Sequence, residues 1–209
     1  MPTQIKICGI TSLHEVAFIN KMNVDYIGFV FAESKRWVNV GKASELSRAL
    51  RPDIKKCGVF VDHTVNEINK IAKSVGLDIA QLHRNYTAEM IASIDIPVWY
   101  AVNIKDEASV EQANEAAAYE NVAGILADSH IEGQSGGTGK TFNWELLDGI
   151  DDNVFLILAG GLNADNIERA IATASPDVVD ISSGAEIIAG GRRMKSEQKV
   201  LELIKKVKI

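Results

Sequence analysis

The fold is decided by the run Phe155-Leu156-Ile157-Leu158-Ala159-Gly160-Gly161-Leu162-Asn163. Five apolar residues are followed by two glycines, and Asn163 opens a helical pattern that extends to Ala174. A short, wholly apolar run is typical of a strand that is buried in a parallel sheet. The glycines predict a tight turn, and asparagine is a favoured residue at helix N-termini. The run therefore predicts one strand–turn–helix unit.

The same unit recurs along the rest of the chain. Seven further apolar runs are rich in Ile, Val and Phe and are predicted to be strands: Ile5–Cys8, Tyr26–Phe31, Lys56–Val61, Asp78–Leu82, Pro97–Val102, Val122–Ala127 and Val178–Ile181. Apolar residues at three- and four-residue steps predict helices in Ser12–Met22, Thr64–Val75, Glu107–Tyr119, Asn163–Ala174 and Ser196–Val207. Thr64 and Glu67 have the spacing of a capping box.

Strands that alternate with helices in this way indicate an α/β fold. A closed (β/α)8 barrel, the TIM barrel, fits the strand count best, and a chain of 209 residues would be a compact example. An open doubly wound sheet is the alternative. Because no linker or change of composition divides the chain, we expect residues 1–209 to form a single domain.

Composition and charge restrict the partners of the chain. The net charge is −6, and no basic run is accompanied by aromatic residues, so a nucleic-acid or membrane-surface partner is not expected. The two cysteines, Cys8 and Cys57, have no paired spacing, which favours a reduced protein. The N-terminus has no apolar signal region, and no apolar run reaches about 18 residues. We therefore expect a cytoplasmic protein.

Polar and reactive residues follow the predicted strands, at the ends where the chemistry of such barrels takes place. In chain order they are Cys8-Gly9, Ser34-Lys35-Arg36, Asp62, His83-Arg84, Asn103, Asp128, Gly160-Gly161 and Ser182-Ser183-Gly184.

Cys8 and Asp128 are the candidates for acid–base chemistry. A barrel mouth can lower the pKa of a thiol, which would make Cys8 a base or a nucleophile. The alternative for Cys8 is a small buried apolar residue, as most free cysteines are. Partial desolvation would raise the pKa of Asp128 and suit a general acid. The alternative for Asp128 is a capping residue.

Several other residues are candidates for binding an anionic substrate. Gly160-Gly161 and Ser182-Ser183-Gly184 occupy the two strand ends that commonly form a phosphate site, although tight turns alone would explain the glycines. The Gly136–Lys140 loop lacks the first glycine of a P-loop, and a mobile surface loop is its alternative. Arg36 could bind a carboxylate or be a solvated arginine. His83 could contact a sugar, or a metal together with Asp62, or simply form a hydrogen bond at the rim; we expect no metal.

Taken in order, these segments resemble the phosphoribosylanthranilate isomerase family over nearly the whole chain. The matching segments are Lys6-Ile7-Cys8-Gly9-Ile10, Gly28-Phe29-Val30-Phe31, Arg36, Gly58-Val59-Phe60-Val61, Gln81-Leu82-His83, Asp128, Gly136-Gly137-Thr138-Gly139-Lys140-Thr141-Phe142, Ala159-Gly160-Gly161-Leu162 and Val179-Asp180-Ile181-Ser182-Ser183-Gly184. Lys35, Arg84, Asn85, Ala185 and Ser196 depart from the family's usual residues, and none of them is at a catalytic position.

The resemblance implies an aldose–ketose isomerase, an intramolecular oxidoreductase, that acts in tryptophan biosynthesis without a cofactor. It implies an Amadori rearrangement of N-(5-phosphoribosyl)anthranilate to 1-(2-carboxyphenylamino)-1-deoxyribulose 5-phosphate. It makes Cys8 the general base, Asp128 the general acid and Arg36 the ligand of the anthranilate carboxylate. Phosphate binding falls to Gly160, Gly161, Ser183 and Gly184, and Asp180 and His83 would contact the substrate.

Two other functions remain open from the sequence. A metal-dependent phosphosugar epimerase would need His and Asp ligands at several strand ends, and only His83 and Asp62 are available. A non-catalytic phosphosugar-binding barrel would need the glycine turns but not both Cys8 and Asp128. The sequence does not indicate the oligomeric state.

Overall fold

The computed structural model describes residues 2–128 and 142–208, and within them eight parallel strands close into a barrel. The strands are β1 (Gln4–Cys8), β2 (Tyr26–Val30), β3 (Lys55–Phe60), β4 (Ile79–Leu82), β5 (Val98–Asn103), β6 (Val122–Asp128), β7 (Leu156–Leu158) and β8 (Val178–Ile181). Each strand pairs with the next, and β8 pairs with β1, so that Ile7 lies opposite Ile181. The predicted (β/α)8 barrel is confirmed, and the open doubly wound sheet is wrong.

Side chains of each strand alternate between the interior of the barrel and the surrounding helices, as the two-residue period of a strand requires. On β1, Ile5 and Ile7 pack into the large core that also contains helix residues such as Phe18 and Leu203. A separate, smaller apolar cluster belongs to other strand positions: Cys57, Ile79, Trp99, Leu126, Ile157, Ala159 and Val178. The inward positions of β1 are therefore Lys6 and Cys8.

Helices connect the strands on the outside of the barrel. They are α1 (Leu13–Ile19), α2 (Val40–Ala49), α3 (Val65–Val75), α4 (Ala88–Ala92), α5 (Glu107–Ala117), α6 (Ile167–Ala174) and α7 (Glu197–Val207), with a 3-10 helix at Trp144–Gly149. The capping box is confirmed, because the Thr64 side chain accepts from the Glu67 amide and the Glu67 carboxylate accepts from the Thr64 amide. No helix in residues 2–128 and 142–208 is long and apolar enough to cross a membrane.

The start predicted for the helix after β7 is four residues too early. The regular helix begins at Ile167, and Asn163 lies in a turn before it. The Asn163 side chain accepts a hydrogen bond from the Asp165 amide at 2.9 Å and donates one to the Gly161 carbonyl at 3.2 Å. Asn163 therefore shapes the turn after β7, because asparagine readily closes such local side-chain-to-backbone turns.

A β-hairpin between β8 and α7 was not predicted. Its strands are β9 (Glu186–Ala189) and β10 (Arg192–Lys195), and a 3-10 turn at Ser183–Ala185 connects it to β8. Gly190 and Gly191 both have positive φ, as the two-residue turn of a tight hairpin needs. The hairpin brings Glu186 and Lys195 opposite each other, next to the end of β8.

Candidate active site

The candidate catalytic residues lie at the same end of the barrel, because all eight strands of the described ring are parallel. Cys8 is the last residue of β1, and Asp128 is the last residue of β6. The order β6–β7–β8–β1 is continuous around the barrel. Cys8 and Asp128 are therefore on either side of the turns that follow β7 and β8. A substrate with its phosphate on those turns could contact both residues.

The thiol of Cys8 is fixed in position and shielded from solvent. Cys8 is 8% exposed, and it lies opposite Gly28 in the pairing of β1 with β2. Burial raises the pKa of Cys8, although the positive charges of Lys6 and Lys195 oppose this rise. The expectation that the barrel mouth lowers the pKa of this thiol is wrong. The loss of hydration on burial outweighs the two lysines in the unliganded protein.

A buried hydrogen-bond network fills the barrel below Cys8. The Lys6 ammonium donates to Asp180 Oδ2 at 2.7 Å and to Gln81 Oε1 at 2.6 Å. Asp180 Oδ1 is buried and has no hydrogen-bond partner among the described residues. One oxygen of Asp180 is thus held by Lys6, and the other is able to accept a further hydrogen bond.

His83 joins the same network from the end of β4. Its Nε2 atom is 2.7 Å from Gln81 Nε2. This contact connects His83 to Lys6 through the side chain of Gln81. Asp62 forms a 3.5 Å ion pair with Arg84. In the described part of the chain, no group of three His, Cys, Asp or Glu residues has the geometry of a metal site.

Arg36 lies inside a group of charged side chains and is only 6% exposed, which makes a solvated surface arginine the wrong interpretation. Its Nε donates to Glu186 Oε1 at 2.9 Å, and its NH1 donates to Glu15 Oε1 at 3.2 Å. The NH2 group is buried without a hydrogen-bond partner within residues 2–128 and 142–208. A buried donor of this kind is costly unless a ligand satisfies it.

Glu15, Glu186 and Lys195 surround Arg36 and are candidate site residues that the sequence did not reveal. Lys195 Nζ donates to Glu186 Oε1 at 3.1 Å and to the Ser182 carbonyl at 2.9 Å. Burial alone would raise the pKa of Glu186, but Lys195 and Arg36 outweigh it and hold that pKa below its ordinary value. In the sequence these three residues are marked only by their charge, because no local pattern connects α1 with the hairpin.

The turns after β7 and β8 form one compact unit. Gly160 and Gly161 have φ of +87° and +65°, a region that glycine adopts without strain. The Gly161 carbonyl accepts from the side chain of Asn166 at 3.0 Å. A β-carbon at Gly184 would stand 2.0 Å from the Leu162 carbonyl oxygen, so the turn after β8 packs directly on the turn after β7. This is the arrangement in which such barrels bind phosphate. The Gly136–Lys140 loop lies outside the described residues.

Comparison with known proteins identifies the family. The profile of a family described as N-(5'phosphoribosyl)anthranilate (PRA) isomerase matches residues 5–206. The chain belongs to the phosphoribosylanthranilate isomerase family. A protein of that name from Thermoanaerobacter sp. is 39% identical over 206 residues, which cover 98% of this chain and 99% of the relative. Another, from Listeria monocytogenes, is 43% identical over 183 residues, which cover 87% of this chain and 89% of the relative.

Solved structures of phosphoribosylanthranilate isomerases have the same fold. The enzyme from Thermotoga maritima superimposes with a TM-score of 0.86 at 34% identity, covering 99% of this chain and 98% of its own. A phosphoribosyl anthranilate isomerase in complex with reduced 1-(o-carboxyphenylamino)-1-deoxyribulose 5-phosphate gives a TM-score of 0.83 at 32% identity, with the same coverage. The resemblance expected from the sequence is thereby confirmed.

Proposed function

We propose that this chain catalyses the Amadori rearrangement of N-(5-phosphoribosyl)anthranilate to 1-(2-carboxyphenylamino)-1-deoxyribulose 5-phosphate, a step of tryptophan biosynthesis. The observation that carries the proposal is the placement of Cys8 and Asp128 at the ends of β1 and β6, with the two glycine turns between them. Membership of the isomerase family and the product-like ligand of one structural relative support the same reaction.

Asp128 acts as the general acid in the first step. It donates a proton to the ring oxygen of the ribose, and the bond between that oxygen and C1 breaks, with its electron pair passing to the oxygen. The nitrogen lone pair then forms a double bond to C1, which gives a cationic Schiff base. Asp128 is half-buried at the end of the apolar strand β6, where a general acid can reach a substrate in the barrel mouth.

Cys8 acts as the general base in the second step. Its thiolate removes the proton from C2, and the electron pair of that bond forms the C1–C2 double bond while the nitrogen regains its lone pair. The enolamine then loses the proton of its C2 hydroxyl and gains one at C1. C2 becomes a ketone and C1 a methylene group, so the substrate is oxidised at one carbon and reduced at the next.

The remaining site residues hold the substrate. The buried NH2 group of Arg36 is a donor for the anthranilate carboxylate, and the free oxygen of Asp180 is an acceptor for a sugar hydroxyl. The backbone amides near Gly160, Gly161, Ser183 and Gly184 bind the phosphate, and His83 contacts the substrate from the end of β4. The substrate is thus a small molecule, and we propose that the reaction takes place in the cytoplasm.

The test uses the fluorescence of the anthranilate group with freshly prepared phosphoribosylanthranilate. The wild type and Cys8→Ser are assayed in parallel, and each variant is shown to be folded by circular dichroism. We expect rapid, enzyme-dependent decay for the wild type and a rate several orders of magnitude lower for Cys8→Ser. Asp128→Asn should be similarly inactive. A wild type without activity would overturn the reaction, and an active Cys8→Ser would overturn the role of the base.

A further inference from the structure

Lys6 is a charged residue to which the proposed reaction gives no role. It lies on β1 two residues before Cys8, is 0% exposed and occupies an inward position of the barrel. Its ammonium contacts Asp180, which lies opposite Lys6 on the neighbouring strand β8, and it also reaches across the barrel interior to Gln81 on β4. Because residues two apart in a strand share one face, the ammonium lies in the layer beneath the Cys8 thiol.

The surroundings of Lys6 are those of a site rather than of an ordinary apolar core. Burying an ammonium ion is costly even when it is paired, and an apolar side chain could fill the same space at lower cost. An ammonium has three donor hydrogens, and Asp180 and Gln81 accept two of them. The cation and its remaining donor are thus held inside the barrel by two fixed acceptors, next to a buried thiol.

We infer that Lys6 is a positioning residue whose buried ammonium, clamped by Asp180 and Gln81 beneath Cys8, stabilises the thiolate form of Cys8. The inference rests on the proposed function in one respect, since the thiolate is the state in which Cys8 removes a proton. Lys6 itself does not contact the reacting carbons in this scheme. It acts through the charge that it places below the sulfur.

The charges around Cys8 agree with this assignment. Burial raises the pKa of the thiol; Lys6 is the largest influence in the opposite direction, Asp180 raises that pKa further, and Lys195 from the hairpin lowers it. Burial would lower the pKa of Lys6, but that pKa is raised instead, chiefly by the charge of Asp180 and the hydrogen bond to it, so Lys6 stays protonated. Burial raises the pKa of Cys57 to about 12, so Cys57 is neutral at ordinary pH.

The test measures the pH dependence of Cys8 alkylation by iodoacetamide, with the extent of modification at Cys8 and Cys57 read by mass spectrometry. Only the thiolate reacts, so the midpoint reports the ionisation of Cys8 in the free enzyme. Lys6→Met should raise the midpoint by about one pH unit or more, which is about a tenfold slower reaction below it. Asp180→Asn should lower the midpoint, because it removes a negative charge near the sulfur.

The alkylation midpoints of Lys6→Met and Asp180→Asn are expected to shift in opposite directions. This separates an electrostatic role of Lys6 from a structural one, because a general loosening of the barrel would shift both midpoints in the same direction. The double variant Lys6→Met with Asp180→Asn leaves no unpaired charge in the barrel and should lie between the wild type and Lys6→Met. If Lys6→Met does not fold, the alkylation midpoints of the double variant and of Asp180→Asn test the inference instead. An unchanged midpoint in Lys6→Met, or one that does not fall in Asp180→Asn, would refute the inference.

Isomerase turnover distinguishes this inference from the proposed function. If Cys8→Ser keeps full activity, the proposed base is wrong, although the alkylation shifts still show whether Lys6 controls the thiol. If Cys8→Ser is inactive and the alkylation midpoints do not shift, the proposed reaction is supported and the role of Lys6 is refuted. For folded Lys6→Met we expect a lower kcat at neutral pH with little change in KM, and partial recovery of kcat at higher pH.

Discussion

Gly28 leaves the space that the sulfur of Cys8 occupies. The two residues lie opposite each other in the pairing of β1 with β2, and a β-carbon at position 28 would stand 2.7 Å from Cys8 Sγ. Real β-carbons essentially never approach a neighbour this closely, so any larger residue at position 28 has to displace the thiol. The position of the proposed base is therefore set by a residue on the neighbouring strand.

We expect Gly28→Ala to lower kcat by up to about 100-fold, since a displacement of about 1 Å in a catalytic group can have an effect of that size. The measurement is steady-state turnover by anthranilate fluorescence. Gly58→Ala is the matched control, because its β-carbon would clash with Leu77 and Phe60 in the outer core instead of with Cys8. If Gly58→Ala lowers kcat as much as Gly28→Ala does, the effect is due to general destabilisation and not to displacement of the thiol.

The contact between the turns after β7 and β8 gives a second prediction. Gly184→Ala would place a β-carbon 2.0 Å from the Leu162 carbonyl, and backbone cannot move aside as a flexible side chain can. We expect the turns to separate, with a loss of about 1–3 kcal/mol in stability and a rise in KM of about tenfold. Inorganic phosphate should inhibit the variant less strongly than the wild type.

Gly41 provides the control for this prediction. It lies near the start of α2, where a β-carbon would make only an ordinary contact with Asn39, so Gly41→Ala should keep the wild-type KM. An unchanged KM and unchanged phosphate inhibition in Gly184→Ala would mean that the two turns do not form the phosphate site together.

Arg36 supports a prediction about recognition of the carboxylate. Arg36→Lys keeps the positive charge but cannot contact Glu15 and Glu186 while offering a further donor in the same plane. Loss of a hydrogen bond to a charged group costs about 1.5–3 kcal/mol, so we expect KM to rise by roughly 10- to 150-fold. The exposed Arg48→Lys on α2 should leave KM unchanged. A wild-type KM in Arg36→Lys would place the carboxylate elsewhere.

The sequence predicted the strands well because each of them carries a strong local signal. All eight predicted strands end within one residue of the observed ones. Short, wholly apolar runs between glycine-containing and polar turns leave few alternatives to a buried strand. The helix at Val40–Ala49 was missed because it has a weak apolar pattern and begins next to a glycine.

The charged part of the site could not be predicted because it depends on contacts between distant segments. Arg36 is 21 residues from Glu15 and 150 residues from Glu186, and no local pattern connects them. The pKa of Cys8 was predicted in the wrong direction for the same reason. Its sign depends on how fully the barrel shields the thiol, and that becomes known only from the packed structure.

Glu186 connects the hairpin to Arg36 and makes stability depend on pH. Its Oε1 accepts from Arg36 and Lys195, and its Oε2 accepts from Arg193 at 3.4 Å. The folded-state pKa of Glu186 lies below its ordinary value of 4.5, because the cations outweigh the effect of burial. A carboxyl group with a lowered pKa contributes stability that is fully present above its unfolded-state pKa and is lost as the pH falls through its folded-state pKa.

We expect Glu186→Gln to be less stable than the wild type at pH 7 by about 3 kcal/mol, since it leaves buried cations without one of their partners. The difference should shrink as the pH falls from 4.5, the ordinary value, through the lower folded-state pKa, below which the wild-type carboxyl group is protonated in both states. Urea unfolding from pH 7 to pH 3 measures both quantities. Glu202→Gln, at an exposed position of α7, should stay within about 0.5 kcal/mol of the wild type throughout. A difference for Glu186→Gln that is independent of pH would show that shape rather than charge makes Glu186 necessary.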